Sequence, residues 1–199
     1  KLELQIAEIN KYQNDVGLVY SNCNLFADII NKKKGIIRKT KVQPGKNKLP
    51  SGKIYNYLYR GNFIPFCSIL YKKESILASG SFEKYKFCPD YYLNLSIAIK
   101  YKVVAVNDVL CYYRLHEKNL SKEIKEIGIL EGLEIIKTLA PRNHVSVLIR
   151  CQKTRHFIYL LLKHRFRKAY KVLCQTGLWG ISCGIFELLL YKKRFRTKL

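Results

Sequence analysis

The sequence has no closely spaced pair of cysteines. Its cysteines are odd in number and far apart, and none forms a Cys-x-x-Cys motif. Zinc motifs and disulfide frameworks normally show such spacing or even pairing. The pattern therefore argues against both and favours reduced thiols in apolar surroundings, as in a cytosolic protein. The seven are Cys23, Cys67, Cys88, Cys111, Cys151, Cys174 and Cys183.

The first residues do not resemble a leader, and the sequence has no long uninterrupted apolar run. The first ten residues have neither the basic start nor the continuous apolar segment of a signal peptide. Residues 172–190 come closest to a membrane span, but Gln175, Ser182 and Glu187 interrupt them. A charge at the bilayer centre costs about 2.5–3.5 kcal/mol on insertion scales. We expect this stretch to lie at an interface rather than to cross a membrane.

Acidic residues are scarce. The chain has 14 Asp and Glu against 37 Lys and Arg, a formal net charge of +23. The imbalance is greatest after residue 141, where 14 Lys and Arg face a single acid, Glu187. Such a field attracts anionic membranes, nucleic acids or phosphorylated ligands, and charge alone does not choose among them.

What the sequence does contain is enough apolar residues for a core. With 199 residues and 48% hydrophobic content, we expect one domain plus an appendage. Strand and helix patterns alternate, which predicts a mixed α/β body over residues 1–140 and a basic helical tail over 141–199. The predicted elements are a helix over 2–10, a strand over 16–22, an irregular surface excursion over 28–53, a helix and loop over 51–64, a strand and short helix over 67–77, a helix directly after Asp90, strands over 102–108 and 109–116 joined by a turn at Asp108, and a helix over 121–139.

Residues 87–121 resemble the C-terminal half of family 2 glycosyltransferases. In that family an acidic pair opens a helix, a short strand follows, and a Tyr-Arg-x-His-x-x-Asn-x-Ser segment closes the active site. Here the acidic pair is reduced to Pro89-Asp90. Residues 61–84 are similar to the family's loop, strand and Gly-Gly-Phe-like segment. The closing segment is matched at Tyr113, Arg114, His116, Asn119 and Ser121.

This resemblance implies an incomplete GT-A fold, the Rossmann-like fold of nucleotide-diphospho-sugar transferases, with a C-terminal helical extension. Residues 1–5 resemble the helix that follows the family's metal-binding Asp-x-Asp element. No Asp-x-Asp occurs in this chain, and the donor-binding half is not recognisable. We therefore expect a truncated or split product that is inactive by itself.

The family's chemistry is the inverting transfer of a hexosyl group from a nucleotide-sugar donor to a glycan or lipid-linked acceptor, here expected in surface polysaccharide biosynthesis. An acceptor hydroxyl attacks the anomeric carbon, and the nucleoside diphosphate departs from the other face. A carboxylate must accept the hydroxyl proton, and cationic groups must stabilise the departing diphosphate. The resemblance also implies a divalent metal, Mg²⁺ or Mn²⁺, in the full-length enzyme.

Asp90 is the expected catalytic base, since it matches the second acid of the family's pair. An aspartate before a helix is also commonly just its N-cap. Asn62 is expected on the acceptor side, where its amide could hydrogen-bond a sugar hydroxyl. A plain turn role for Asn62 is the alternative.

Arg114 and His116 are expected to contact the leaving diphosphate. On an extended segment they point to the same side. The alternative is a solvated basic pair. His116 could also approach a divalent metal, although the chain supplies no other ligand of that site. Tyr113, Asn119 and Ser121 would support the same loop.

The basic tail bears on location and on rival functions. Residues 142–199 mix apolar, aromatic and basic residues, which is typical of segments at anionic membrane surfaces. We expect a cytoplasmic protein held peripherally at the inner face of the cell membrane; the alternative is a helical pair packed on the domain with its Lys and Arg in water. Nucleic-acid binding is an alternative function that would also explain the positive charge, and the missing recognition motifs argue against it. A non-catalytic glycosyltransferase remnant is a third reading.

Overall fold

The computed structural model describes residues 1–12, 15–27, 36–39, 48–116 and 125–198. It is mixed α/β, as predicted, and divides into two units, Lys1–Glu123 and Ile124–Lys198. The division falls earlier than the predicted boundary after residue 140. The reason is that the helix Lys125–Leu139 packs against the helix that follows it, Arg142–Leu162.

A four-stranded sheet organises the first unit. Its central strand is β1 (Val16–Ala27), and β4 (Lys102–Leu115) pairs with it in parallel along its length. The other edge of β1 is shared by β2 (Ile36–Lys39) and β3 (Leu70–Tyr71), both antiparallel to it. Parallel neighbours cannot be joined by a tight turn, so the chain between β1 and β4 must cross over the sheet.

Among its described residues, this crossover contains three α-helices. They are α2 (Tyr55–Leu58), α3 (Lys73–Ser79) and α4 (Pro89–Lys100). Eight consecutive residues of α4, from Tyr91 to Ala98, are buried, so this helix is covered on all sides. It approaches β1 closely because residue 17 is glycine: a Cβ there would meet Ile97 Cγ2 and would lie 2.8 Å from Tyr101 Cβ.

Two strand predictions need correction. The predicted strands over 102–108 and 109–116 are one strand, β4, so Asp108 is not a turn residue between strands. Register shifts against Ser21, Asn22 and Cys23 show that β4 carries extra residues at this point, and such bulges bend a strand without ending it. The predicted strand over 16–22 extends to residue 27, and β2 lies within the region expected to be irregular.

The first helix, α1 (Leu2–Asn10), confirms the predicted helix. Ile9 packs against the core cluster of Val16, Val19 and Val104. The fully buried residue of α1 is Gln5, whereas its leucines and Ile6 are about half exposed. An apolar side of this helix therefore faces away from the described core.

The second unit consists of four helices. They are α5 (Lys125–Leu139), α6 (Arg142–Leu162), α7 (Phe166–Thr176) and α8 (Leu178–Lys198). The helix predicted over 121–139 is confirmed from residue 125 onward; residues 121–124 lie outside the described part of the chain. The core of the second unit is formed by Ile135, Ile136, Leu148, Cys151, Leu160, Ala169 and Ile181.

Close packing of α6 on α8 depends on Gly184. A Cβ at this position would meet Thr154 Oγ1 and would lie 3.0 Å from the backbone oxygen of Arg150. Thr154 is fully buried, so its side chain has no free space to move into. A side chain at residue 184 would therefore separate the two helices.

We predict that Gly184→Ala destabilises the second unit by about 1–3 kcal/mol, the usual range for overpacking. Gly132→Ala is the matched control, because its Cβ would meet Gln152 Nε2 at an ordinary 3.8 Å. That control should be neutral or stabilising by up to about 1 kcal/mol through helix propensity. Thermal unfolding followed by circular dichroism measures both, and equal midpoints would contradict the close approach.

Candidate functional site

Asn62 and Asp90 lie together at the amino end of α4. Asn62 Nδ2 donates a hydrogen bond of 2.8 Å to Asp90 Oδ2, and Asn62 Oδ1 accepts one of 3.2 Å from the backbone N–H of Ile64. The amide thus closes a local turn and also orients the carboxylate. The two residues expected to act on the acceptor are neighbours although 28 positions separate them in the chain.

Asp90 lies within the first turn of α4 and is not its N-cap. The cap position is Cys88, and Pro89 occupies the first helical position, where a missing N–H costs nothing. The Asp90 carboxylate is half-buried, close to the positive end of the helix dipole.

Tyr71 and Asn94 extend the polar site. Tyr71 Oη donates a hydrogen bond of 2.7 Å to Asn94 Oδ1, and Asn94 is four residues after Asp90 on the same helix. Burial, and after it the charge of Asp90, raise the pKa of Tyr71, so this phenol stays protonated as a donor. Within the described part of the chain, the buried Asn94 Nδ2 has no hydrogen-bond partner.

Aromatic rings continue from Tyr71 toward the surface. The Phe82 ring packs edge-on against Tyr71 at 5.6 Å and against Phe66 at 6.0 Å between ring centroids. Phe66 is 57% exposed. Ligand sites commonly combine such apolar walls with a few well-placed polar groups. Here Asp90 and Asn62, both partly exposed, supply such polar groups.

Arg114 and His116 lie at the carboxyl end of β4. Both are exposed and alternate with the half-buried Tyr113 and Leu115, so they share one side of the chain as expected. Tyr71 lies near the opposite end of the sheet, because it pairs with Leu18 and Leu18 is opposite Val103 at the start of β4. Arg114 is eleven residues farther along the strand, on the order of 30 Å at 3.3 Å per residue. Asn119 and Ser121 lie outside the described residues.

Three of the cysteines that are distant in sequence come together in the first unit. Cys67 Sγ lies 3.7 Å from Cys23 Sγ and 3.7 Å from Cys111 Sγ. Burial, and after it the neighbouring Cys67 sulfur, raise the pKa of the Cys111 thiol to about 11. We call these three residues the thiol cluster.

Among the described residues, the thiol cluster is the one group of three or more His, Cys, Asp or Glu that could hold a metal ion. Mg²⁺ and Mn²⁺ prefer oxygen ligands, so sulfur atoms do not suit the metal that the family resemblance implies. The described residues therefore do not build that divalent site. His116 is exposed beyond the end of β4.

The second unit presents apolar and basic side chains together. Phe166 and Tyr170 are exposed one helical turn apart on α7, and Trp179 near the start of α8 is 82% exposed. Arg167 and Lys171 form an exposed basic pair with the same spacing. Nearby, α6 and α8 form an apolar groove of about 480 Å³, whose lining includes Arg155, Ile158, Tyr159, Leu162, Ile185, Leu188 and Leu189.

In the described part of the chain, no single helix is long and apolar enough to cross a membrane. Phe166–Thr176 and Leu178–Leu189 reach that length and composition only as a pair, with a bend of 93° between them. Gly177, at a φ of 73°, is the residue at the bend.

The chain matches no known protein-family model and no curated protein sequence. What the site can do is therefore inferred from its own residues. The resemblance pointed to Asp90 and Asn62, which the structure brings together, but not to Tyr71, for which there is no local signal. Asn94 had one available signal, its spacing of four residues from Asp90 on a helix.

We predict that Tyr71→Phe lowers the free energy of unfolding by about 1–3 kcal/mol, because the buried Asn94 Oδ1 loses its donor. Tyr57→Phe removes a hydroxyl from an exposed ring and should change stability by less than about 0.5 kcal/mol. Denaturant titration measures both variants. If Tyr71→Phe is as stable as the wild type, the phenol does not secure this amide.

Proposed function

We propose that this chain supplies the acceptor side of an inverting, family 2-like glycosyltransferase with a GT-A type of fold. The observation that carries the proposal is the hydrogen bond between Asn62 and Asp90 in the first turn of α4. It fixes a half-buried carboxylate beside an aromatic wall, where a general base for a sugar hydroxyl is needed. The matching residues at Tyr113, Arg114 and His116 add support.

In the proposed reaction, Asp90 accepts the proton of an acceptor hydroxyl. The hydroxyl oxygen forms its bond to the anomeric carbon while the bond from that carbon to the diphosphate breaks. Asn62 holds one carboxylate oxygen, which limits rotation of the base and leaves it preoriented toward the acceptor.

The donor would be a nucleotide sugar, and its departing diphosphate would meet Arg114 and His116. The base and the groups that stabilise the diphosphate act on the same anomeric carbon, so this role requires a donor-bound complex in which the carboxyl end of β4 lies beside Asp90. A donor-binding half, as the resemblance implies, would have to pack on this unit. Leu2 and Ile6, one helical turn apart on α1 and about half exposed, offer an apolar surface for it.

We predict that Asp90→Asn lowers sugar transfer by about 10²–10⁴-fold, the usual contribution of a general base. The assay would use the gene product that contains this chain, a panel of nucleotide sugars and lipid-linked acceptors. Asp108→Asn is the matched control, because Asp108 is an exposed acid on β4 and should not matter. Retained transfer by Asp90→Asn would remove Asp90 from the role of base.

We further propose that the second unit attaches the protein to an anionic membrane surface, which would bring it to a lipid-linked acceptor. Its exposed aromatic residues can enter the interface while Arg167 and Lys171 meet lipid phosphates. Nucleic acid would be attracted by the same charge. Exposed leucines and a tryptophan in this unit favour a membrane over a purely phosphate-bearing partner.

Trp179, the chain's one tryptophan, is a built-in reporter of this attachment. We predict a blue shift of its fluorescence and flotation with vesicles of phosphatidylcholine and phosphatidylglycerol, both weakened by salt. Leu178→Ser should weaken binding, while Leu77→Ser, at nearly the same exposure of 75% but in the first unit, should not. Salt-sensitive binding to nucleic acid without vesicle binding would instead support the rival function.

A further inference from the structure

The thiol cluster draws its members from three separate elements. Cys23 is on β1 and pairs with Cys111 across the parallel ladder to β4. Cys67 lies in a single 3₁₀ turn, Phe66–Ser68, just before β3. All three sulfurs lie within 4.8 Å of one another. Separate elements thus converge on one point, although no sequence motif connects them.

The spacing of the sulfurs fits a shared metal ion. In a tetrahedral site with Zn–S bonds of about 2.3 Å, two sulfurs are about 3.8 Å apart. Cys67 Sγ is 3.7 Å from each of the other two. A disulfide needs about 2.05 Å instead, so the present arrangement is closer to shared coordination than to a bond between two sulfurs.

The surrounding structure holds the three thiols in place. The bulge in β4 shifts the register just before Cys111 and so sets this residue opposite Cys23. The turn that carries Cys67 is tied to α1, because Gln5 Nε2 donates to the Ser68 oxygen at 2.7 Å and Lys1 Nζ donates to the Cys67 oxygen at 2.9 Å. Little rearrangement would be needed for a metal to bind.

We propose that Cys23, Cys67 and Cys111 form a three-thiolate binding site for Zn²⁺. Thiolates are soft ligands that select Zn²⁺ over Mg²⁺ or Ca²⁺. Cys23 is buried, whereas Cys67 and Cys111 are partly exposed, so water or another ligand can take the fourth position. Such a site would link β1, β4 and the turn before β3. The proposed zinc site does not include Asp90. A variant that loses sugar transfer through Asp90 should therefore still bind zinc, and a variant that loses zinc tests this proposal alone.

The test is a Zn²⁺ titration of the reduced full chain, with bound metal measured by elemental analysis. We expect one high-affinity Zn²⁺ per chain, a higher unfolding temperature, and sulfur-to-metal charge-transfer absorption when Co²⁺ replaces Zn²⁺. Cys67→Ser should weaken binding by more than about 100-fold, since even outer-shell changes cost 10–100-fold. Cys67 is chosen for substitution because it is partly exposed, whereas Cys23 is buried on the central strand, so serine at residue 67 should disturb the fold less.

Cys174→Ser is the matched control, since Cys174 is exposed on α7 in the second unit and should leave the stoichiometry at one. Circular dichroism must show that Cys67→Ser keeps the wild-type fold; if it does not, Cys111→Ser takes its place. The proposal is overturned if folded Cys67→Ser or Cys111→Ser binds Zn²⁺ like the wild type. It is also overturned if the reduced chain binds none and mild oxidation joins Cys67 to Cys23 or Cys111.

Discussion

The parallel pairing of β1 with β4 is the constraint on which the rest of the first unit depends. Two parallel strands can be neighbours only if the chain between them crosses the sheet, and here α4 completes that crossing. Gly17 lets the C-terminal end of α4, near Ile97, lie directly against β1. Pro89 and Asp90 are at the opposite, N-terminal end of the helix. The same pairing sets Cys111 opposite Cys23. Both candidate sites therefore follow from one strand pair.

The polar group around Asp90 is positioned by its neighbours before any ligand binds. A half-buried carboxylate costs free energy unless hydrogen bonds and dipoles compensate for lost water. Asn62 and the first turn of α4 supply that compensation, and Tyr71 fixes Asn94 one turn farther on. Such preorganisation is what a general base needs, because a freely rotating carboxylate would lose its alignment.

The second unit divides its residues between packing and exposure. Buried side chains such as Ile135 and Leu160 hold its helices together, and Gly184 lets two of them approach closely. Glu126 compensates part of the positive charge, since His156, Arg165 and Lys168 all lie against it. Arg167, Lys171 and the rings of Phe166, Tyr170 and Trp179 are exposed.

Local elements were largely determined by the sequence. The helix over residues 2–10, the helix predicted directly after Asp90 and the extended segment ending near Arg114 follow from periodicity, which acts over a few residues, although α4 begins one position before Asp90, at Pro89. Only the tertiary structure decided that β4 is one bulged strand and that the thiol cluster exists. Contacts between distant residues depend on strand register and on how closely helices approach the sheet, and neither is encoded in composition or spacing.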